Sequence, residues 1–240
     1  RVVLAGDLDA EFRVGLLDDP QFHTRSVGRT AFQAFVSRIS GVADDPHATA
    51  AFLSRVDAVG RVEIRRLPPV DDALRRYAAE LWLPYHRELA ERVDAHALAD
   101  WPDERFVERN VAFTRNRLEE AGGRGWVAAT APDGAAVDPA TAPVTHPDLE
   151  LTGLLLTSVD ECPDPFDRPD RLVVGELYVA EAHRGTGLAD RLMERAERDA
   201  RERDCGELRL DVDVDNERAM AFYEKQGFEP YRKQLTRLVD

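Results

Sequence analysis

The hydrophobic pattern of the chain changes period near residue 61. Upstream, Phe32, Phe35, Val36 and Ile39 recur at helical spacing, and Phe52, Leu53 and Val56 suggest a second short helix ending at Gly60. Downstream, Val62, Ile64 and Leu67 alternate as in a strand, which Pro68 and Pro69 close. Asp71 is placed to cap a helix through about Leu81, and Pro84 is expected to break it before a second helix from Tyr85 to Leu98. A third helix is predicted from Asp103 to Glu120, with Gly122 and Gly123 beyond it. Strands follow at Trp126 to Thr130, Leu149 to Val159 and Leu172 to Val179. The Pro/Ala/Asp-rich stretch from Ala131 to Asp148 reads as a loop, and Asp160 to Asp170, with three prolines, as a turn. A helix from Leu188 to about Arg203 puts Leu188, Leu192, Met193 and Ala196 on one face. Leu208, Leu210, Val212 and Val214 then alternate in a strand from Glu207, and a last helix runs from Asn216 to a C′ glycine, Gly227. There is no internal repeat. The pattern divides the chain into a helical extension over residues 1–60 and an α+β domain with a mixed sheet over residues 61–240.

Composition narrows the partners. Acids outnumber bases 46 to 32, for a net charge of −14, which argues against nucleic acid. Lys225 and Lys233 are the only lysines; the other 30 bases are arginine. Such an acidic, lysine-poor composition resembles that of halophilic proteins from a salt-loaded cytoplasm, where counterions screen self-repulsion, although genomic GC bias also favours Arg over Lys. Cys162 and Cys205 lack metal or redox spacing, which points to a reduced compartment. The six histidines form no ligand pattern, and no apolar run approaches the roughly 18 residues of a membrane helix. A cytoplasmic protein with no membrane contact and no metal is expected. Asp211, Asp213 and Asp215 alternate on one strand face, but carboxylates without a fixed oxygen cage are more often a solvated face.

The most informative segment is the strand Leu172 to Val179 running into Arg184-Gly185-Thr186-Gly187-Leu188-Ala189 and then a helix. Strand, glycine turn and helix start form an anion site: glycines let the backbone approach a phosphate, and the free N–H groups of the first helical turn point at it. A dinucleotide-binding turn shares this logic, with Asp211 or Asp213 as the ribose acid. Asp190, however, stands at its third glycine position, and only 53 residues follow Gly187.

Two motifs in order carry a closer likeness. Arg184, Gly187 and Ala189 fit the pattern Arg/Gln-x-x-Gly-x-Gly/Ala, and Asn216-Glu-Arg-Ala-Met-Ala-Phe-Tyr-Glu-Lys-Gln-Gly-Phe228 fits Asn-x-x-Ala-x-x-Phe-Tyr-x-x-x-Gly-Phe. With the helix and strand between them, residues 61–240 resemble the GNAT acetyltransferases. The resemblance implies a GNAT acyl-CoA acyltransferase fold of element order β-α-α(α)-β-β-β-α-β-α-β. It implies acetyl-CoA as co-substrate and an amine acceptor, with the amine attacking the thioester directly; no cysteine or serine lies in a nucleophile elbow. The backbone of Gly185, Thr186, Gly187, Leu188 and Ala189 is then expected to hold the CoA diphosphate, with Arg184 pairing either a phosphate or a surface carboxylate. Leu177, Tyr178 and Val179 are expected along the thioester, the Val179 N–H serving as an oxyanion contact, and Asn216 on the pantetheine arm or as an N-cap. By the same likeness Tyr223 is the general acid and Glu176 the candidate general base. Trp82, Tyr85 and His86 are candidates to line the acceptor pocket, with Glu80 and Glu88 favouring a cationic acceptor. A homodimer stays open. A non-catalytic acyl-CoA-binding regulator and a transferase of longer acyl groups are the competing functions.

Overall fold

The computed structural model describes residues 62–119, 122–132 and 135–237; the two helices expected within residues 1–60 lie outside them. Five strands form one sheet in the order β1-β2-β3-β4-β5. β1 (Glu63–Arg66), β2 (Arg124–Thr130), β3 (Glu150–Asp160) and β4 (Arg171–Val179) pair antiparallel in succession, and β5 (Glu207–Leu210) joins β4 in parallel. β2 and β3 are central and buried on both faces, so Leu151 to Thr157 is buried without a break instead of alternating with polar residues.

Helices cover both faces. On one side lie α1 (Asp71–Tyr77), a π-helical turn (Ala78–Trp82), α2 (Leu83–Ala90) and α3 (Asp103–Glu119). Leu74, Tyr77, Leu81 and Val111 pack there against Val127, Leu154, Leu156 and Tyr178. On the other side α4 (Leu188–Glu202) sets Leu188, Leu192, Met193, Ala196 and Ala200 against Leu155, Leu172, Val174 and Val179. Phe222 and Tyr223 of α5 (Glu217–Lys225) complete that layer.

Five expectations are corrected. Pro84 does not break the helix. It sits in the first turn of α2, and the wider turn ahead of it absorbs its missing N–H: Leu83 N–H bonds Ala78 O, five residues back. Val70, not Asp71, is the N-cap of α1, and Asp71 instead places a carboxylate in the helix's first turn. The second helix ends at Ala90, and a short 3-10 turn (Asp94–His96) follows before Leu98. β5 stops at Leu210, and Val214 is 79% exposed, because the chain turns off the sheet edge and finds no further partner among the described residues. Asp211, Asp213 and Asp215 therefore lie beyond the strand, where Asp213 Oδ1 accepts from the Asp215 N–H at 3.1 Å. Residues 226–237 carry no final strand.

Candidate active site

A bulge in β4 aims the first candidate residue. Thr157 pairs with Val174 and Leu156 with Glu176, so Gly175 is an extra residue on the β4 side. A Cβ at Gly175 would stand 2.2 Å from the Arg117 guanidinium of α3, so any side chain there would displace that guanidinium. It reverses the alternation. Leu172 and Val174 face α4, yet Glu176 and Tyr178 face α1 and α2, while Leu177 and Val179 return to the α4 side. Glu176 Oε2 accepts a 2.8 Å bond from the fully buried Tyr77 hydroxyl. His86 Nε2 lies 4.0 Å from Glu176 Oε1. Burial, then the Glu176 charge, raises the Tyr77 phenol above its usual range, so it remains a donor.

At the same bulge β4 parts from β5. Their pairing ends at Val174 with Leu210. The Ala180 N–H still reaches Thr152 O on β3 at 2.9 Å, so strand alternation turns the N–H groups of Val179 and Leu177 to the open edge. Val179 O on that edge accepts from Arg184 Nε at 3.0 Å. Arg184 also donates to Glu88 Oε2, and Tyr178 OH donates to Glu88 Oε1 at 2.6 Å, tying α2 to the glycine turn. Burial alone would raise the Glu88 carboxyl; the bonds from Tyr178 and Arg184 and the charges of Arg184 and Arg92 outweigh it, and the net shift is downward. Burial and the Glu88 bond hold the Tyr178 phenol well above its ordinary value.

The turn that follows is built for backbone approach. Gly185 (φ 71°) and Gly187 (φ 80°) are left-handed, and Gly187 is the N-cap of α4. The N–H groups of Leu188, Ala189 and Asp190 have no carbonyl four residues back inside the helix, and Arg191 N–H makes the first such bond, to Gly187 O at 3.2 Å. Thr186 Oγ1 donates to His183 O at 2.6 Å and steadies the turn from behind. Asp190 Oδ1 accepts from Gln226 Nε2 at 2.7 Å, which joins α4 to the end of α5.

Parts of β4, of the turn into α4 and of α5 meet in one cleft of about 180 Å³, whose lining does not include Glu176, His86 or Gly185 to Leu188. Leu177, Tyr178, Val179, Arg184, Ala189, Asn216 and Tyr223 line it, together with Tyr85, Glu88, Arg92 and Arg218. Asn216 caps α5, its Oδ1 accepting the Ala219 N–H at 3.2 Å, so it is both N-cap and cleft residue. Tyr223 packs edge-on against Phe222 and Phe228, and burial, then Tyr85, holds its phenol above the ordinary value. Burial and the Glu176 charge push Tyr85 up to about 12. Three arginines therefore face one glutamate in a chain of net charge −14. Glu80, expected beside the acceptor, is instead bonded to Arg76 at 2.9 Å. Trp82 and Tyr85 flank the His86 ring at centroid distances of 4.4 and 4.7 Å, and Tyr85 stands 5.5 Å from Tyr178.

Sequence reasoning missed Tyr77, the tie between Glu88, Tyr178 and Arg184, and the bulge. A glycine inside an apolar strand is a bulge signal, so Gly175 was the one legible clue.

Among the described residues, no three His, Cys, Asp or Glu side chains gather as a metal site, and no helix is long and apolar enough to cross a membrane. Residues 143–228, from just before β3 to the end of the α5 motif, match the family model for the Acetyltransferase (GNAT) family. N-alpha-acetyltransferase 30 of Schizosaccharomyces pombe is 35% identical over 60 residues, 25% of this chain. The chain spans 40% of the length of that curated relative. A tetramutant of the BH1408 protein from Bacillus halodurans has a similar fold: TM-score 0.52 at 16% identity, covering 74% of this chain and 99% of that one. A second mutant of the same protein gives the same figures. The sheet and its helices form the GNAT fold, and the family match across β3 to α5 supports the GNAT superfamily for this chain.

Proposed function

We propose that the protein is an acetyl-CoA-dependent N-acetyltransferase in which an amine attacks the thioester directly. The observation that carries this reading is the convergence, in one cleft, of a parted strand edge, a glycine-capped helix start and the α5 tyrosine. CoA fits the chemistry on offer. Its diphosphate suits the N–H groups from Gly185 to Ala189, and the arginine surplus favours an anionic ligand. A pantetheine arm needs an unpaired strand edge, which β4 offers beyond Val174, and Asn216 lines the same cleft.

Each remaining chemical need has a residue. The Val179 N–H is the donor for the carbonyl oxygen as it gains charge. Tyr223, kept protonated by burial, delivers a proton to the departing thiolate. Glu176 Oε1 is the candidate to take the proton from the acceptor's ammonium, since Oε2 is engaged by Tyr77. Overall two N–H bonds of the ammonium and the C–S bond break while the N–C and S–H bonds form. One proton goes to Glu176, and the second, shed by the nitrogen as the amide forms, replaces the one Tyr223 gave the thiolate. The protein returns to its starting state with one proton released to solvent.

The acceptor is an amine of a small molecule or of a protein. The acidic, arginine-rich composition and the free Cys162 and Cys205 support a reducing, salt-rich cytoplasm as its setting. A panel of amines incubated with acetyl-CoA in strong potassium chloride tests the reading: thiol release dependent on acceptor is expected. Acetyl-CoA binding without transfer to any amine in the panel would favour the regulator instead.

A further inference from the structure

His86 has a buried ring nitrogen with nothing to bond. Its Nε2 lacks any hydrogen-bond partner in the protein, and few buried polar atoms go unsatisfied without a reason. The nearest acid is Glu176, whose Oε1 lies 4.0 Å away. That separation is too long for a direct bond, which needs about 2.7–3.2 Å. Two bonds of about 2.8 Å meeting at one small oxygen span it at an angle of about 90°. Rearrangement is hindered on both sides. Trp82 and Tyr85 pack against the imidazole, and Tyr77 fixes the carboxylate through its other oxygen. The π-helical turn directly upstream sets the rotation of α2 and so brings His86 over β4.

We propose that His86 Nε2 and Glu176 Oε1 hold one water between them, and that this water receives the proton from the acceptor's ammonium. The inference rests on the acetyl-transfer reading and adds a positioning residue to it. His86 donates its Nε2–H to the water oxygen, and the water donates one hydrogen to Glu176 Oε1. One lone pair then remains for the incoming amine, giving the water three partners. In the transfer the ammonium N–H bond breaks and its proton joins the water. The water passes its own proton to Oε1, which becomes a neutral carboxyl, and the freed lone pair attacks the thioester. Glu176 later loses that proton to solvent. The other groups facing this point are the Tyr77 and Tyr85 hydroxyls, both held protonated, and Arg117 beyond Gly175.

Two measurements test this. His86→Gln keeps an N–H donor at similar reach, and His86→Leu removes it. The His86→Leu variant is expected to lower kcat on the order of tenfold to a hundredfold with the KM for acetyl-CoA unchanged, and the His86→Gln variant to recover most of the loss. Equal rates for both variants and wild type would overturn the proposal, as would equal losses in both. A crystal structure of the wild-type protein supplies a readout without activity or folding of a variant. A water within about 3.2 Å of both atoms is expected; a direct His86–Glu176 bond or a dry gap overturns the inference. If the water is seen and no amine is acetylated, the functional reading fails while the site stands.

Discussion

At the scale of single residues, the cleft separates its proton donors from its proton acceptor by environment. Tyr77, Tyr85, Tyr178 and Tyr223 all have phenols held above their usual value, with burial the leading cause in each. A phenol that resists ionisation is suited to donate, and Tyr223 is the one on the helix that faces the parted strand. Tyr223→Phe is expected to lower kcat about a hundredfold while acetyl-CoA affinity stays within about threefold, measured by steady-state kinetics and direct titration. Unchanged turnover would remove Tyr223 from the chemistry. Residue types at motif spacing made Arg184, Gly187, Asn216 and Tyr223 legible in the sequence. The partner that fixes Glu176 was not, because Tyr77 lies 99 positions away and meets it only after α1 has docked on the sheet.

At the scale of elements, α4 both starts the anion site and anchors it. Asp199 on its inner face is fully buried, accepts from Thr157 Oγ1 at 2.6 Å and pairs with Arg124. Asp199→Ala would leave Arg124 with Glu202 alone, at 3.0 Å, and Thr157 Oγ1 with only a long 3.4 Å bond to Arg124 O. The Arg124 side chain is 30% exposed, so water offsets part of the loss. A destabilisation of about 2 kcal/mol is expected in a denaturant titration, below the roughly 3–5 kcal/mol of a fully buried pair. No loss would mean that α4 is held by its apolar stripe alone. Periodicity located α4 well because its Leu188, Leu192, Met193 and Ala196 stripe has one reading. It misjudged α2 and β5. Pro84 reads as a helix breaker unless a π-turn precedes it, and Val212 and Val214 alternate like a strand whether or not an edge awaits them. Local pattern carries no record of where a sheet runs out of partners.

At the scale of the whole molecule, charge and the buried phenols govern response to conditions. Strong salt screens the self-repulsion of a −14 chain, consistent with the salt-rich setting proposed above. The phenols act at high pH. Tyr85 is near 12 in the folded protein against an ordinary value of 10. Below pH 10 it is protonated whether the chain is folded or not. Between pH 10 and 12 the unfolded chain ionises and the folded one resists, so stability is lost as pH rises through that window. The melting temperature should fall across it, and Tyr85→Phe should flatten the fall; an equal fall in the variant would contradict the assignment. The central claim, that the bend at Gly187 and the open edge of β4 hold coenzyme A, is tested most directly by calorimetric titration with acetyl-CoA in strong potassium chloride. The wild type is expected to bind saturably at one site. Gly187→Glu, with an unchanged circular dichroism spectrum, should give no heat, because its carboxylate would confront the diphosphate. Silence from the wild type, or equal binding by both, would contradict the account.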